Sequence, residues 1–350
     1  MLKRIPLPAL PVLALVLLAG LYWLYWSSVA ERVKAGVAAW AAAQAQQGID
    51  VTWDAMRVRG FPTRLRLELD NLVFDAAGAG AERWALSTPE FHAHALPYRL
   101  DHVIASARSP MRLEIGPAER ARIWDIEAAS AQASYARETD GADRLAVDIQ
   151  SATARRRDAD AAVAAQRLQI HARRVPDRAG TADVALRAAG IDVEGVMAPG
   201  LVALLGREIS TAAAQARVTA AAGDGVFDDL ALLQLQGGEI QVSEGRIAWG
   251  PSSVDFTGRL TVDPAGVADG RFDTRLQGHE AIIAGLVRQG LIDPAVEGPL
   301  ITALAFLIAL EAERARASSV LSSSSETRSR ALPMTIPPLS SSPTCSGTTT

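Results

Sequence analysis

Residues 64–70 read Arg-Leu-Arg-Leu-Glu-Leu-Asp, a strict alternation of charged and apolar side chains. Successive side chains of a β-strand point to opposite faces, so this stretch predicts a strand with one buried and one solvated face. The turn Gly60-Phe61-Pro62 comes just before it, and a second alternating stretch, Val51–Val58, precedes that turn. Residues 51–70 therefore predict the first strands of an antiparallel sheet.

The same alternation recurs along most of the chain, between closely spaced turn residues. The segments are Trp84–Thr88, Glu90–Leu96, His102–Ala107, Met111–Ile115, Ala121–Ala136, Leu145–Ala154, Gln166–Arg173, Gly238–Val242, Arg246–Trp249, Ser253–Val262 and Gly270–Leu276. Short connections favour antiparallel meanders over βαβ units. We therefore expect an α+β, mostly β fold, in which a curved antiparallel sheet of many short strands packs against a few amphipathic helices.

Three later segments have helical spacing. Ala198–Ala216 carries Leu201, Leu204, Leu205 and Ile209 at intervals typical of a helix, and His279–Gln289 and Pro299–Arg316 follow the last strands. We expect these helices to cover much of an apolar concave face of the sheet, because a sheet buries its apolar side against another layer. The predicted helix at 198–216 also suggests two lobes, divided near residues 190–220.

Upstream of the sheet, residues 5–30 contain no charged side chain. About 20 apolar residues suffice for a helix to cross a bilayer, so we predict a transmembrane anchor within residues 1–27, with Val12–Leu24 as its core. Aromatic rings at one end of the segment fit the headgroup level. The residues that we expect to form the anchor are Leu10, Val16, Leu17, Tyr22, Trp23 and Trp26.

The flanking charges predict the orientation of this anchor. Lys3 and Arg4 precede it, whereas Arg32 and Lys34, offset by Glu31, follow it. The positive-inside rule then places the N-terminus in the cytoplasm and the main domain, residues 28–316, in the periplasm of a bacterium. The alternative is a signal peptide cleaved at residues 28–30, Ser-Val-Ala.

A second helix is predicted over Ser27–Gln47, with Ser28 as its cap and Gly48 as its stop. Val29, Val33, Val37 and Trp40 fall on one face of it. This apolar face either packs on the protein's own sheet, which is the interpretation we favour, or binds lipid or a partner.

The composition excludes several functions. The formal net charge is -4 over 350 residues, which gives no reason to expect a nucleic-acid partner. The single cysteine, Cys345, excludes an internal disulfide and a cysteine-based metal site. It lies in a tail, residues 317–350, that is rich in Ser, Thr and Pro; this composition predicts disorder, or a shifted reading frame near residue 317.

No catalytic or cofactor-binding motif is present: the sequence has no HExxH, no GxSxG and no Walker-type glycine loop. His92 and His94 lie two residues apart on a predicted strand, so both point to one face and are weak candidates for a metal site, with His102 or Glu90 as further ligands. A Gly/Asp cluster, residues 223–229, is more typical of a polar turn than of a calcium site.

Several motifs carry a family resemblance. Val51-Thr52-Trp53, the Gly60-Phe61-Pro62 turn with its Arg-rich strand, and the later segments 237–240, 245–250 and 258–263 resemble the DUF2125 family of uncharacterised, membrane-anchored proteobacterial envelope proteins. The repetitive strands are more distantly similar to AsmA-like envelope proteins. The resemblance spans about residues 10–316. It implies a membrane-anchored β-rich envelope protein and assigns no chemistry.

Three hypotheses of function follow. The first is a non-enzymatic, inner-membrane-anchored periplasmic protein whose partners are the lipid bilayer and a lipid ligand, which it handles in envelope maintenance; the lipid is an analogy with AsmA-like proteins. The second is a structural module that binds a protein partner in an envelope complex. The third is a metal-dependent hydrolase that uses the His92/His94 face.

Overall fold

The computed structural model describes residues 9–77, 83–138, 142–176, 178, 180–220, 238–263, 267–296, 298–299 and 301–302. The chain divides into two compact units, Met1–Ile282 and Ile283–Thr350. The first unit contains one large antiparallel sheet and a long N-terminal helix, as the sequence predicts.

Helix α1, Ala9–Gln46, is a single helix of 38 residues. It joins the predicted anchor and the predicted second helix without a break, and it is long and apolar enough to span a membrane. The prediction that Ser28 caps a separate helix is wrong, because its Oγ donates to the Tyr25 carbonyl oxygen inside α1. Gly48 does follow the helix end, with a φ of 81° that suits glycine at this position.

The described residues after α1 form fifteen strands, all antiparallel to their neighbours. They are β1 Ile49–Thr52, β2 Ala55–Arg59, β3 Leu65–Ala77, β4 Arg83–Leu96, β5 Arg99–Ala107, β6 Met111–Ile115, β7 Arg122–Glu127, β8 Ser130–Arg137, β9 Asp143–Arg156, β10 Ala162–Arg174, β11 Thr181–Asp192, β12 Glu208–Ala220, β13 Gly238–Trp249, β14 Ser252–Val262 and β15 Ala268–Gln277. A 3-10 helix, Ala118–Arg120, separates β6 from β7.

In three places, two successive strands are the two pieces of one longer, interrupted strand, because both pieces pair with the same neighbour. β5 and β6 both pair with β4, β7 and β8 both pair with β9, and β1 and β2 both pair with β3. The sheet therefore has twelve positions in the order β1-β3-β4-β5-β8-β9-β10-β11-β12-β13-β14-β15. When each interrupted strand is counted as one, neighbouring strands in the sheet are also consecutive in the chain, which confirms the predicted antiparallel meander. Several strands reach 13 or 14 residues, longer than we expected.

The predicted helix over Ala198–Ala216 is wrong. Only α2, Pro199–Leu205, is helical, and Gly206 follows it with a φ of 91°. Residues 208–220 form β12 instead and pair with β11 on one side and β13 on the other. Alanine-rich sequence has high helix propensity, but two continuous ladders satisfy its backbone hydrogen bonds in the sheet.

Helix α3, His279–Arg288, occupies most of the predicted segment 279–289. The predicted helix Pro299–Arg316 lies largely outside the described residues. The Gly/Asp cluster at 223–229 and the tail at 317–350 lie wholly outside the described residues. The domain boundaries that we predicted therefore stay a prediction, because the tail that sets the last of them is not described.

The core forms where α1 lies on the first strands. Leu65, Leu67 and Leu69 are buried, as the alternation predicts. Asn71 then takes a φ of 50°, which asparagine tolerates, and the alternation changes phase so that Leu72 is buried as well. The main buried cluster is Ala41, Ile49, Val51, Leu67, Leu69, Leu72 and Ala76, and a smaller one is Val29, Ala30 and Leu65.

Candidate functional site

The C-terminal half of α1 packs on the protein's own sheet. Val29 is buried against Leu65, with Val33 beside it, and Val37 packs on the main core cluster. This confirms the interpretation that we favoured for the apolar stripe of residues 29–40. One member departs from it: Trp40 stays partly exposed and meets Phe74 edge to face, with ring centroids 6.4 Å apart.

The N-terminal half of α1 is different, because its apolar side chains are exposed. Val16 and Leu17, two of the predicted anchor residues, are more than 60% exposed, and Trp23 is 54% exposed. Leu10 also lies in α1. A contiguous apolar surface of this kind marks contact with a membrane or with another protein.

The two halves of α1 meet at an aromatic cluster, which we call the aromatic junction: Tyr22, Tyr25, Trp26 and Phe61. The Phe61 ring lies 6.0 Å from that of Tyr22 and 5.7 Å from that of Trp26, the latter edge to face. Such ring pairs contribute about 0.5–1.5 kcal/mol each beyond the area that they bury. The anchor aromatics and the Gly60-Phe61-Pro62 turn, which the sequence presents as separate features, therefore form one structure.

Hydrogen bonds fix this junction to the backbone of the sheet. Tyr22 Oη donates to the Pro62 carbonyl oxygen at 2.6 Å, and Trp26 Nε1 donates to the Arg64 carbonyl oxygen at 3.2 Å. Tyr25 Oη donates to the Pro97 carbonyl oxygen at 3.1 Å, in the turn between β4 and β5. Two turns of the sheet are thus attached to one level of α1.

The register of the sheet aligns apolar side chains in one transverse row, which we call the central apolar row. Directly opposed residues of antiparallel strands share a face, so the row lies on one side of the sheet. Its members are Val58, Leu67, Ala93, Ala105, Ala133, Val147, Ile170, Leu186, Ala214, Gly245 and Phe256. The row begins under α1 and continues past it across eight further strand positions.

The next row along the strands lies on the other face and is polar, so we call it the polar row. It consists of Arg57, Glu68, His92, Ser106, Gln132, Asp148, Gln169, Arg187, Ala213, Arg246, Asp255 and Arg275. All but one of these residues are polar or charged. Along these two rows the sheet therefore has one apolar and one polar face from β2 to β14, and the apolar row ends at the polar Thr274 of β15, opposite Phe256.

Past α1, the apolar face is exposed. Ile170 of β10, Leu186 of β11, Ile247 of β13 and Phe272 of β15 are between 37% and 47% exposed. Of the helix expected over residues 198–216, which would have helped to cover this face, only Pro199–Leu205 is helical. The sequence predicted an apolar face that is only partly covered, but only the structure shows which part of it the described residues leave exposed.

A hollow of about 820 Å³ lies across strands β8–β13, on the polar face. Its lining takes in Gln241 and Ser243 but not the intervening Val242, which points to the other side. The expectation of an apolar concave face is therefore wrong at this hollow. Its arginines are paired within the protein; Arg217 Nε, for example, lies 2.8 Å from Asp183 Oδ1.

A buried carboxylate lies at the start of β9, on the face opposite the hollow by the alternation of the strand. Asp143 is 1% exposed, accepts hydrogen bonds from Tyr135 Oη at 2.8 Å and Arg137 Nε at 3.0 Å, and lies 3.3 Å from Arg174 Nη2. Burial by itself would raise the pKa of Asp143, but the hydrogen bonds from Arg137 and Tyr135 outweigh burial and lower it. The cluster ties the ends of β8, β9 and β10 together.

We expect this cluster to make the fold sensitive to acid. The folded-state pKa of Asp143 lies below the ordinary value, so its stabilising contribution is complete above about pH 4 and is lost as the pH falls through the folded-state pKa. Asp143→Asn should unfold more easily than the wild type at pH 7, with a smaller difference at pH 3. Urea unfolding of the full chain in detergent micelles at both pH values measures this. The control is the exposed Asp50→Asn, and an equal loss at both pH values would contradict the expectation.

His92 and His94 lie on β4 and on the polar face, with ring centroids 6.5 Å apart. Burial, then the charge of Arg66, lowers the pKa of His94. The register places Ser106 and Ile104 opposite the two histidines, so His102 is opposite neither, and Glu90 Oε2 is 3.9 Å from His92 Nε2. Within the described part of the chain, no three His, Cys, Asp or Glu side chains are grouped to hold a metal ion.

Comparison with known proteins identifies the family of the chain. No curated protein and no solved structure matches the chain. A family model described as "Uncharacterized protein conserved in bacteria (DUF2125)" matches residues 26–322, which include the Gly60-Phe61-Pro62 turn and every strand of the sheet. Because this match covers most of the chain, the protein belongs to the DUF2125 family.

Proposed function

We propose that this protein is a non-enzymatic, single-pass protein of the bacterial inner membrane, and that its periplasmic sheet binds the acyl chains of lipids on its exposed apolar face. The observation that carries the proposal is the central apolar row. The row leaves the core under α1 and continues, still apolar, to Ile170 and Leu186, which are 39% and 47% exposed in the described part of the protein.

The anchor part of the proposal is supported by the length and exposure of α1. Residues 9–26 span about 27 Å of helix, close to the thickness of a bilayer's hydrocarbon core. From Val12 on, the side chains are exposed up to the aromatic junction, where Tyr and Trp are the residues preferred at the headgroup level. Lys3 and Arg4 before the helix favour a cytoplasmic N-terminus, which leaves the sheet on the periplasmic side.

The lipid part is supported by the energy of covering the open face. Burying one Ile, Leu or Phe side chain is favourable by about 1.5–3 kcal/mol. Ile170 and Leu186 are directly opposed in the register, so one extended acyl chain lying along the row contacts both. The absence of HExxH, GxSxG and Walker motifs favours a binding function over a catalytic one.

Photocross-linking tests the lipid part. We expect a benzophenone amino acid at Ile170 or Leu186 of the full-length chain, irradiated in bacterial membranes, to give adducts with the mass of a membrane lipid. The matched controls are the adjacent positions Gln169 and Arg187, which lie on the polar row and point to the opposite face. Intact-protein mass spectrometry identifies the adducts.

The outcomes of this experiment separate the hypotheses. Lipid adducts at the two apolar positions and none at the two polar ones support acyl-chain binding. Adducts with a protein at Ile170 and Leu186 would replace the lipid by a protein partner, as an envelope-complex module requires. Equal lipid adducts on both faces, or none on either, would contradict the proposal.

A further inference from the structure

Residues 96–100, Leu-Pro-Tyr-Arg-Leu, comprise the end of β4, a two-residue turn and the start of β5, and we call them the β4–β5 tip. Its apolar side chains are unusually exposed: Leu96 is 40%, Tyr98 75% and Leu100 46% exposed. Three large apolar residues within five positions form a protruding surface, whereas single exposed apolar residues are ordinary.

The tip lies next to the aromatic junction. The Tyr25 hydroxyl donates to the Pro97 carbonyl oxygen at 3.1 Å, so the backbone of the tip is within hydrogen-bonding distance of α1. Tyr25 lies roughly 24 Å along α1 from Ala9, near the far end of the segment that is long enough to cross a bilayer. The tip is therefore at the depth where the helix leaves the hydrocarbon core.

We propose that the β4–β5 tip is a second membrane contact, which inserts Leu96, Tyr98 and Leu100 into the headgroup region of the bilayer beside α1. This inference rests on the membrane anchor of the proposed function, but not on acyl-chain binding by the sheet. The occupant is the bilayer because the tip adjoins the helix that enters it, and because a Tyr ring between two Leu side chains suits a layer that is apolar on one side and wet on the other.

The charge of the tip fits the same occupant. Arg99 is exposed, and its Nε is 3.7 Å from Asp101 Oδ1, at the long end for an ion pair. An arginine beside an inserted aromatic ring can reach lipid phosphate, for which its planar guanidinium is well matched. In the tip, Tyr98 can therefore insert into the bilayer while the adjacent Arg99 binds a lipid phosphate.

A second contact would set the direction of the sheet. One helix alone leaves the domain free to rotate about the helix axis, whereas α1 and the tip together attach it at two points. The ends of the strands at residues 60–65 and 96–99 then face the bilayer, and the turn with the 3-10 helix Ala118–Arg120 faces away. The apolar face would begin at the membrane and extend outward from it.

Spin-label depth measurements test the tip. In the full chain with Cys345→Ser, single cysteines replace Tyr98 or Leu100, and the labelled protein is reconstituted in vesicles of phosphatidylcholine and phosphatidylglycerol at about three to one. The matched control is Glu119→Cys, because the interrupted strand β5/β6 begins at the tip and ends just before the turn that carries Glu119. The partner strand β4 covers the same distance in 12 residue steps, from Leu96 to Trp84, which at about 3.3 Å each separate the two ends by roughly 40 Å.

We expect labels at 98 and 100 to be more accessible to oxygen than to a water-soluble nickel complex, and the label at 119 to show the reverse. Labels at 98 and 100 as accessible to nickel as the label at 119 would overturn the proposal. Protein that fails to float with the vesicles would overturn the anchor and the tip together. Absence of lipid adducts at Ile170, with the tip still inserted, would refute only acyl-chain binding.

Discussion

Ile49→Ala should lower the free energy of unfolding by about 2–5 kcal/mol, the range for removing a large aliphatic side chain from a core. Ile49 is 0% exposed and lies in β1, directly after α1 and opposite Ala76 of β3. It belongs to the main core cluster, which joins Ala41 of α1 to the first strands. The cavity left by the substitution would therefore weaken the attachment of α1 to the sheet.

The adjacent residue provides the control. Asp50 is exposed and, by the alternation of the strand, points away from Ile49, so Asp50→Ala should change the stability by less than about 0.5 kcal/mol. Urea unfolding of the full-length chain in detergent micelles compares the two variants with the wild type. Equal effects of Ile49→Ala and Asp50→Ala would mean that the contact between α1 and β1 does not stabilise the fold.

The second large effect is expected at the turn that carries Phe61. Gly60 has a φ of 106°, which side chains other than glycine rarely adopt, and a Cβ there would lie 2.7 Å from Arg64 Cγ and 2.8 Å from the Arg64 carbonyl oxygen. That carbonyl oxygen accepts the hydrogen bond from Trp26. Gly60→Val should therefore destabilise the fold by about 2–5 kcal/mol, through backbone strain and overpacking, and should displace Phe61 from the aromatic junction.

Glycine in another setting gives the comparison. Gly36 lies within α1 with open space around it, so Gly36→Ala should be neutral or raise the helix stability by up to about 1 kcal/mol. Limited proteolysis at the turn around residues 60–64 reports the loss of the junction, and urea unfolding reports the stability. A Gly60→Val chain as resistant as Gly36→Ala in both measurements would show that this turn does not depend on glycine.

Much of the sheet is predictable from the alternation of side chains. The alternation in Arg64–Asp70 predicts that Leu65, Leu67 and Leu69 share a buried face, and all three are buried in the structure. The antiparallel meander is predictable as well, because the connections are short. In contrast, the segment 198–216 misleads, since its leucines have helical spacing while its alanines pair in β12.

The candidate sites were predictable only in part. The anchor aromatics and the turn at residues 60–62 each have a recognisable pattern, but nothing in their spacing along the chain indicates that Phe61 stacks with Tyr22 and Trp26. The β4–β5 tip was missed, because Leu96–Leu100 read from sequence is the end of one strand and the start of the next.

By itself, the sequence determined the two faces of the strands and the apolar helix before them, since both follow from local periodicity: two residues for a strand and 3.6 for a helix. Only the tertiary structure decided which apolar residues are covered. Coverage depends on which distant segment lies over each strand, and α1 covers the first strands but leaves Ile170 and Leu186 exposed. The core of the protein and its open apolar face therefore have the same pattern in sequence, and differ by the position of one helix.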